Sequence, residues 1–118
     1  MKYIAIWPHV SNYRDPICLE KGDMVLIGKK YAGPENWDNW VYCHEERNNR
    51  EGWVPEQLIQ RNADGTGFIL EGYTAKELNI EVGEILIGLH EWNGWIWCGN
   101  LEKEAEGWVP KQNLKQYR

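Results

Sequence analysis

Apolar and polar residues alternate in short runs along this chain, and wherever a run is long enough to show a period, the period is two. Trp40-Val41-Tyr42-Cys43 and Trp95-Ile96-Trp97-Cys98 are the clearest cases. Neighbouring side chains on a strand point to opposite faces, so Val41 and Cys43, like Ile96 and Cys98, share one face and the larger rings the other. The smaller pair is expected in the core. Tyr3 to Trp7, Met24 to Ile27, Phe68 to Leu70 and Ile85 to Leu89 are further β-favouring runs, bounded by Gly, Pro, Asn or Asp. Helical periodicity is nearly absent. Only Ala75 to Ile80 has helix-like composition, and Gly72 and Gly83 confine it to a turn or two. Asn48-Asn49 reads as a hairpin tip, with Leu101 to Ala105 as its counterpart further on. Glu45-Glu46 and Glu102 to Glu106 read as solvated hairpin edges that discourage sheet extension.

The pattern is written twice. Glu51-Gly52-Trp53-Val54-Pro55 returns as Glu106-Gly107-Trp108-Val109-Pro110, and the same 55-residue offset joins Trp37/Trp40 to Trp92/Trp95, Cys43 to Cys98 and Gln57 to Gln112. After a one-residue slip, Gly22 to Gly28 resembles Gly83 to Gly88. Between the copies, Gln60 to Gly67 is polar and turn-rich. The expected organisation is therefore a first domain over 1–60, a linker over 61–67 and a second domain over 68–118, all-β, each a small and strongly bent barrel.

Charge and cysteine content narrow the chemistry. The net charge is −5, from seven basic against nine acidic residues in 1–60 and six against nine in 61–118, without a Lys/Arg block. Phosphate-backbone binding needs clustered cations, so nucleic acid is not an expected partner. Cys18, Cys43 and Cys98 are odd in number and lack metal-ligand spacing, and His9, His44 and His90 are scattered, so neither a disulfide framework nor a metal site is expected. Cys43-His44 does not make a nucleophile and base, because adjacent strand residues face opposite ways. Apolar runs are short, Tyr3 to Trp7 and Met24 to Ile27 among them. No membrane span or secretory signal is expected, and the chain is expected in the cytoplasm.

Taken in order, Ala5-Ile6-Trp7-Pro8-His9, Pro16-Ile17-Cys18-Leu19, Gly22-Asp23, Trp40-Val41 and Gly52-Trp53-Val54-Pro55-Glu56-Gln57-Leu58-Ile59 resemble the motifs of the Src-homology 3 (SH3) domain. Phe68-Ile69-Leu70-Glu71-Gly72, Glu77-Leu78-Asn79-Ile80, Gly83-Glu84, Trp95-Ile96 and Gly107-Trp108-Val109-Pro110-Lys111-Gln112-Asn113-Leu114 resemble them again. The likeness is to divergent prokaryotic members. It implies two partly opened SH3-like barrels in tandem, with no cofactor and no catalytic activity, each with an aromatic groove for an extended, Pro-containing peptide.

Carried over by position, the resemblance places Trp7, Trp40, Trp53 and Pro55 in the first groove, with Asp15 as the acid that selects a basic residue and His9 and Leu58 where the family has tyrosines. In the second it places Trp95, Trp108 and Pro110 with the acids Glu77 and Glu91, while Leu70, Gly72 and Asn113 replace rings. The tryptophan pairs Trp40/Trp53 and Trp95/Trp108 beside acids suit a cation or an aromatic-rich segment. The alternative is structural: the tryptophan faces pack against each other or against a second copy, giving self-association in place of ligand binding. The expected partner is a protein or peptide, with no nucleic acid and no membrane.

Overall fold

The computed structural model describes residues 1–11, 15–34 and 38–117. Twelve strands follow in chain order: β1 (Lys2–Ala5), β2 (Cys18–Leu19), β3 (Met24–Lys30), β4 (Trp40–Glu45), β5 (Arg50–Pro55), β6 (Ile59–Arg61), β7 (Thr66–Ile69), β8 (Tyr73–Thr74), β9 (Ile85–Trp92), β10 (Trp95–Asn100), β11 (Ala105–Pro110) and β12 (Leu114–Gln116). Short 3-10 turns, Glu56–Leu58 and Lys111–Asn113, precede β6 and β12. The described chain is all-β, as the alternation predicts. The segment from Ala75 to Ile80 holds no helix; after β8 it carries isolated bridges at Glu77 and Ile80 and no other regular structure. None of the described helices is long and apolar enough to cross a membrane.

The chain folds into two units, and they do not coincide with the two copies of the sequence pattern. Unit 1 comprises residues 1–14 and 76–118, and unit 2 is the continuous stretch 15–75. In unit 1 the sheet order is β11-β10-β9-β1-β12; in unit 2 it is β5-β4-β3-β7-β6, with β2 and β8 paired separately. Each unit thus takes its fourth strand from the other copy. β1 sits between β9 and β12, pairing Tyr3 with Leu86 and Gln116. β7 sits between β3 and β6, pairing Phe68 with Met24 and Gln60.

The cause lies in residues 61–67, expected as a linker. They form a hairpin inside unit 2. Asp64 Oδ1 accepts hydrogen bonds from the Thr66 hydroxyl at 2.6 Å and its backbone N–H at 3.1 Å, Asn62 N–H bonds to the Thr66 carbonyl at 2.9 Å, and Gly65 takes φ +87°, which glycine alone adopts without strain. The Thr66 hydrogen bonds hold the Asp64 carboxyl below its ordinary range. A closed hairpin costs far less loop entropy than bringing in a strand from the distant N-terminus, so β7 takes the place beside β6. β1 then fills the matching place in unit 1, where its own apolar residues suit the core.

The face assignment holds in both units. Val41, Cys43, Ile96 and Cys98 are fully or almost fully buried, and Tyr42, Trp95 and Trp97 are only half-buried. In unit 1 the core is Ala5, Leu78, Ile80, Leu86, Ile96, Cys98 and Val109, with Tyr3, Ala105 and Leu114 packed against it. In unit 2 the buried apolar residues include Ile17, Leu19, Val25, Val54, Ile59 and Ile69. Trp40 departs from its ring-bearing face and is also buried, with 6% exposure. Glu45 departs too. Far from solvated, it is buried and accepts hydrogen bonds from the Asn48 backbone at 3.2 Å and side-chain amide at 2.8 Å, which fixes the β4–β5 turn.

Candidate functional site

In unit 1, β1 leads into Ile6-Trp7-Pro8-His9, and this segment is pinned from two sides. The Ile6 N–H bonds to the Asn113 carbonyl at 2.8 Å, and the Asn113 side-chain amide donates to the Pro8 carbonyl at 3.1 Å. His9 pairs in both directions with the Ile80 backbone, at 3.0 and 2.9 Å. Held this way, His9 Nε2 lies 2.7 Å from Glu77 Oε1, and its ring meets Trp95 edge-on with centroids 5.5 Å apart. The His9 and Glu77 side chains are 14% and 10% exposed. Trp95 faces Pro110 across the β10–β11 ladder, Pro110 is buried, and Trp7 stands 64% exposed.

His9, Glu77 and Trp95 are therefore one cluster, a connection across 68 positions that no local pattern signals. The residues expected in one groove fall in two units: Trp7 and His9 belong to unit 1, whereas Asp15, Trp40, Trp53, Pro55 and Leu58 belong to unit 2. Strand exchange divides them. Asn113, expected only as the loss of a ring, proves to be the brace for Pro8. Trp108 is 4% exposed; its indole packs edge-on against Trp97 and His90, and its backbone N–H and carbonyl bond to Lys76 and Leu78. It is a packing residue at this site. Glu91 lies 3.3 Å from the Lys111 ammonium, on the exposed rim.

In unit 2 the expected groove wall is closed. Trp40, its ladder partner Pro55, and Leu58 are all buried. Asp15 is exposed, with Oδ1 3.3 Å from Arg50 Nε, so an arginine of β5 already answers its charge. Trp53 points instead toward two tyrosines: its ring centroid lies 5.1 Å from Tyr42 and 5.3 Å from Tyr31, each nearly perpendicular to it. The Lys29 ammonium lies 5.9 Å from both the Tyr42 and Trp53 centroids. Tyr31 and Lys29 were not expected at a site; the β3–β4 connection that carries Tyr31 has no counterpart in the two-residue turn of unit 1. Glu35 and Trp37 of that connection lie outside the described residues.

Cys43 is buried and burial pushes its thiol up to about 12, against a small opposing effect of Arg61; burial likewise pushes Cys98 up to about 12. Such thiols are not nucleophiles near neutral pH. The His44 ring meets the Asn49 side-chain carbonyl at 3.0 Å. Among the described residues no group of three or more His, Cys, Asp or Glu is placed to hold a metal ion.

A family model described as a variant SH3 domain matches residues 2–61, just over half of the chain. The chain belongs to the variant SH3 family. The match runs from β1 through β6, a stretch whose first strand folds into unit 1 and whose remainder folds into unit 2. No curated protein and no solved structure gives a match. SH3-like domains are in general non-catalytic and bind proteins or peptides, which fits a surface of rings and braced backbone.

Proposed function

We propose that the chain is a non-catalytic interaction module that receives an extended, Pro-containing and basic peptide on unit 1, across Trp7, His9 and Trp95, with the buried Pro110 backing Trp95 and Glu77 at the charged end. The observation that carries this reading is the meeting of His9, Glu77 and Trp95 beside the exposed Trp7. An extended polyproline segment arrives already ordered, so flat rings gain contact area at low entropic cost. Titrating a proline-rich, lysine-flanked peptide into the labelled protein is expected to shift the indole signals of Trp7 and Trp95, and Trp95→Ala to remove the response. Unchanged spectra at millimolar peptide overturn the reading.

For unit 2 the burial of Trp40, Pro55 and Leu58 favours a second, structural reading of that wall. Acrylamide is then expected to quench Trp7 strongly and Trp40 hardly at all in single-tryptophan variants. Strong quenching of Trp40 returns it to the list of ligand contacts.

A further inference from the structure

The outer face of β4 and β5 carries a ring cluster that the peptide reading leaves unused. Tyr42 on β4 stands opposite Trp53 on β5, and Tyr31 flanks the same indole. Both tyrosines meet Trp53 at 77°, so ring planes close to perpendicular form a corner. All three rings are half-buried, neither sealed in the core nor standing free. One cation is already in that corner. Lys29 reaches it from β3, where the pairing with β4 is interrupted between Ile27 and Lys30, and its ammonium lies 5.9 Å from two ring centroids.

Two features separate this corner from an ordinary surface contact. The distance is at the outer edge of cation–π attraction, whose strength at an exposed site is about 0.5–1 kcal/mol, so Lys29 is a weakly held occupant. Its neighbours are rings and not acids: among the described residues no carboxylate lies within ion-pairing distance of the Lys29 ammonium, while the next residue, Lys30, lies 3.5 Å from Glu56. A primary ammonium entering such a place gives up hydration that nothing replaces. A methylated ammonium has little hydration to lose and spreads its charge over carbon surface that rings accept.

We infer that Tyr31, Tyr42 and Trp53 form a binding site for a methylated ammonium group, as on a trimethylated lysine side chain, which Lys29 occupies in the free protein. The site lies in unit 2 and is separate from the unit 1 peptide face, so either can fail without the other. Lys29 is the internal competitor, and its exposure lets it leave without disturbing the barrel.

The test uses the full chain with tetramethylammonium chloride as the probe, read at the Trp53 indole signal. Neopentyl alcohol serves as a neutral probe of nearly the same shape, and sodium chloride holds ionic strength constant. Lys29→Ala is expected to bind tetramethylammonium about fivefold more tightly than the unaltered chain, with at most a small response to the alcohol. Lys30→Ala removes the same charge outside the corner and is expected to leave the affinity within about twofold. Tyr42→Leu removes one ring of the corner, keeps the Trp53 indole as the reporter, and is expected to weaken binding in the Lys29→Ala background. The inference is overturned by equal response to both probes, by equal gains from Lys29→Ala and Lys30→Ala, or by no movement of Trp53 in any variant. A signal at Trp95 and Trp7 alone speaks to unit 1 and also counts against it.

Discussion

The two units use the same Glu-Gly-Trp-Val-Pro segment in different surroundings. In unit 1, Trp108 is buried with Trp97 and His90 against it, and Gly107 runs so close to the neighbouring segment that a Cβ there would stand 2.6 Å from the Leu78 nitrogen and 2.7 Å from the Glu77 carbonyl carbon. In unit 2, Trp53 is half-buried beside two tyrosines and a lysine, and a Cβ on Gly52 would meet first the Ile17 Cγ2 at 3.0 Å. The hairpin brace differs as well. Glu45 holds its turn as a carboxylate, whereas the equivalent Asn100 holds its own as an amide, accepting from Glu102 and Lys103 N–H groups at 3.1 and 3.3 Å and donating to Glu84. An identical motif fixes the strand, then, and its neighbours decide whether the indole serves packing or contact.

Thiol labelling exploits the contrast most strongly. Cys18 is exposed, while Cys43 and Cys98 report from the cores of units 2 and 1. With both buried thiols pushed to about 12, their thiolate fraction at pH 8 is only about one in ten thousand. Cys18 is expected to react with iodoacetamide at least ~1000-fold faster than either, and peptide mapping of slow labelling then shows which unit opens first. Comparable rates at all three would mean that the cores are not closed.

The glycine pair gives the next largest effect. Gly107→Ala sets a methyl against backbone that cannot rotate away, at an expected loss of about 3 kcal/mol in urea unfolding, and Gly52→Ala sets one against a side-chain methyl, at about 1 kcal/mol. Equal losses would erase the distinction between the units.

Glu84 supplies the smallest effect. Burial pushes its carboxyl up, but hydrogen bonds from Lys103, the Glu81 N–H and Asn100 outweigh this and hold it below the ordinary range. A carboxyl lowered in the folded state contributes stability above its unfolded pKa and loses it as pH falls through the folded value. Glu84→Gln is expected to cost about 1 kcal/mol at pH 7, with the gap to the unaltered chain closing below about pH 4. A gap that persists at pH 3 points to packing instead of charge.

Alternation made the strands and their inner faces legible: Val41, Cys43, Ile96 and Cys98 lie where period two puts them. Which strand lies beside which was not legible. β1 and β7 are both short strands with apolar residues, period two does not distinguish their partners, and β7 lies beside β3 and β6 after a hairpin held by hydrogen bonds at Asp64 and Thr66. The same exchange hid the site, since His9 reads as a partner for Trp40 until the strands are assigned and then meets Trp95 and Glu77. The burial of Trp40 escaped for another reason. Periodicity separates the two faces of a sheet but not a covered outer face from a bare one.

Strands β1 and β12 of unit 1 are antiparallel neighbours, and Tyr3 pairs with Gln116. A load applied across Tyr3 and Gln116 therefore peels these strands apart one rung at a time, the weak direction for a ladder. Unit 2, an unbroken stretch spliced between residues 14 and 76, bears no tension until that zipper has run. Under such a load the molecule is a two-stage fuse, with unit 1 yielding first and unit 2 last.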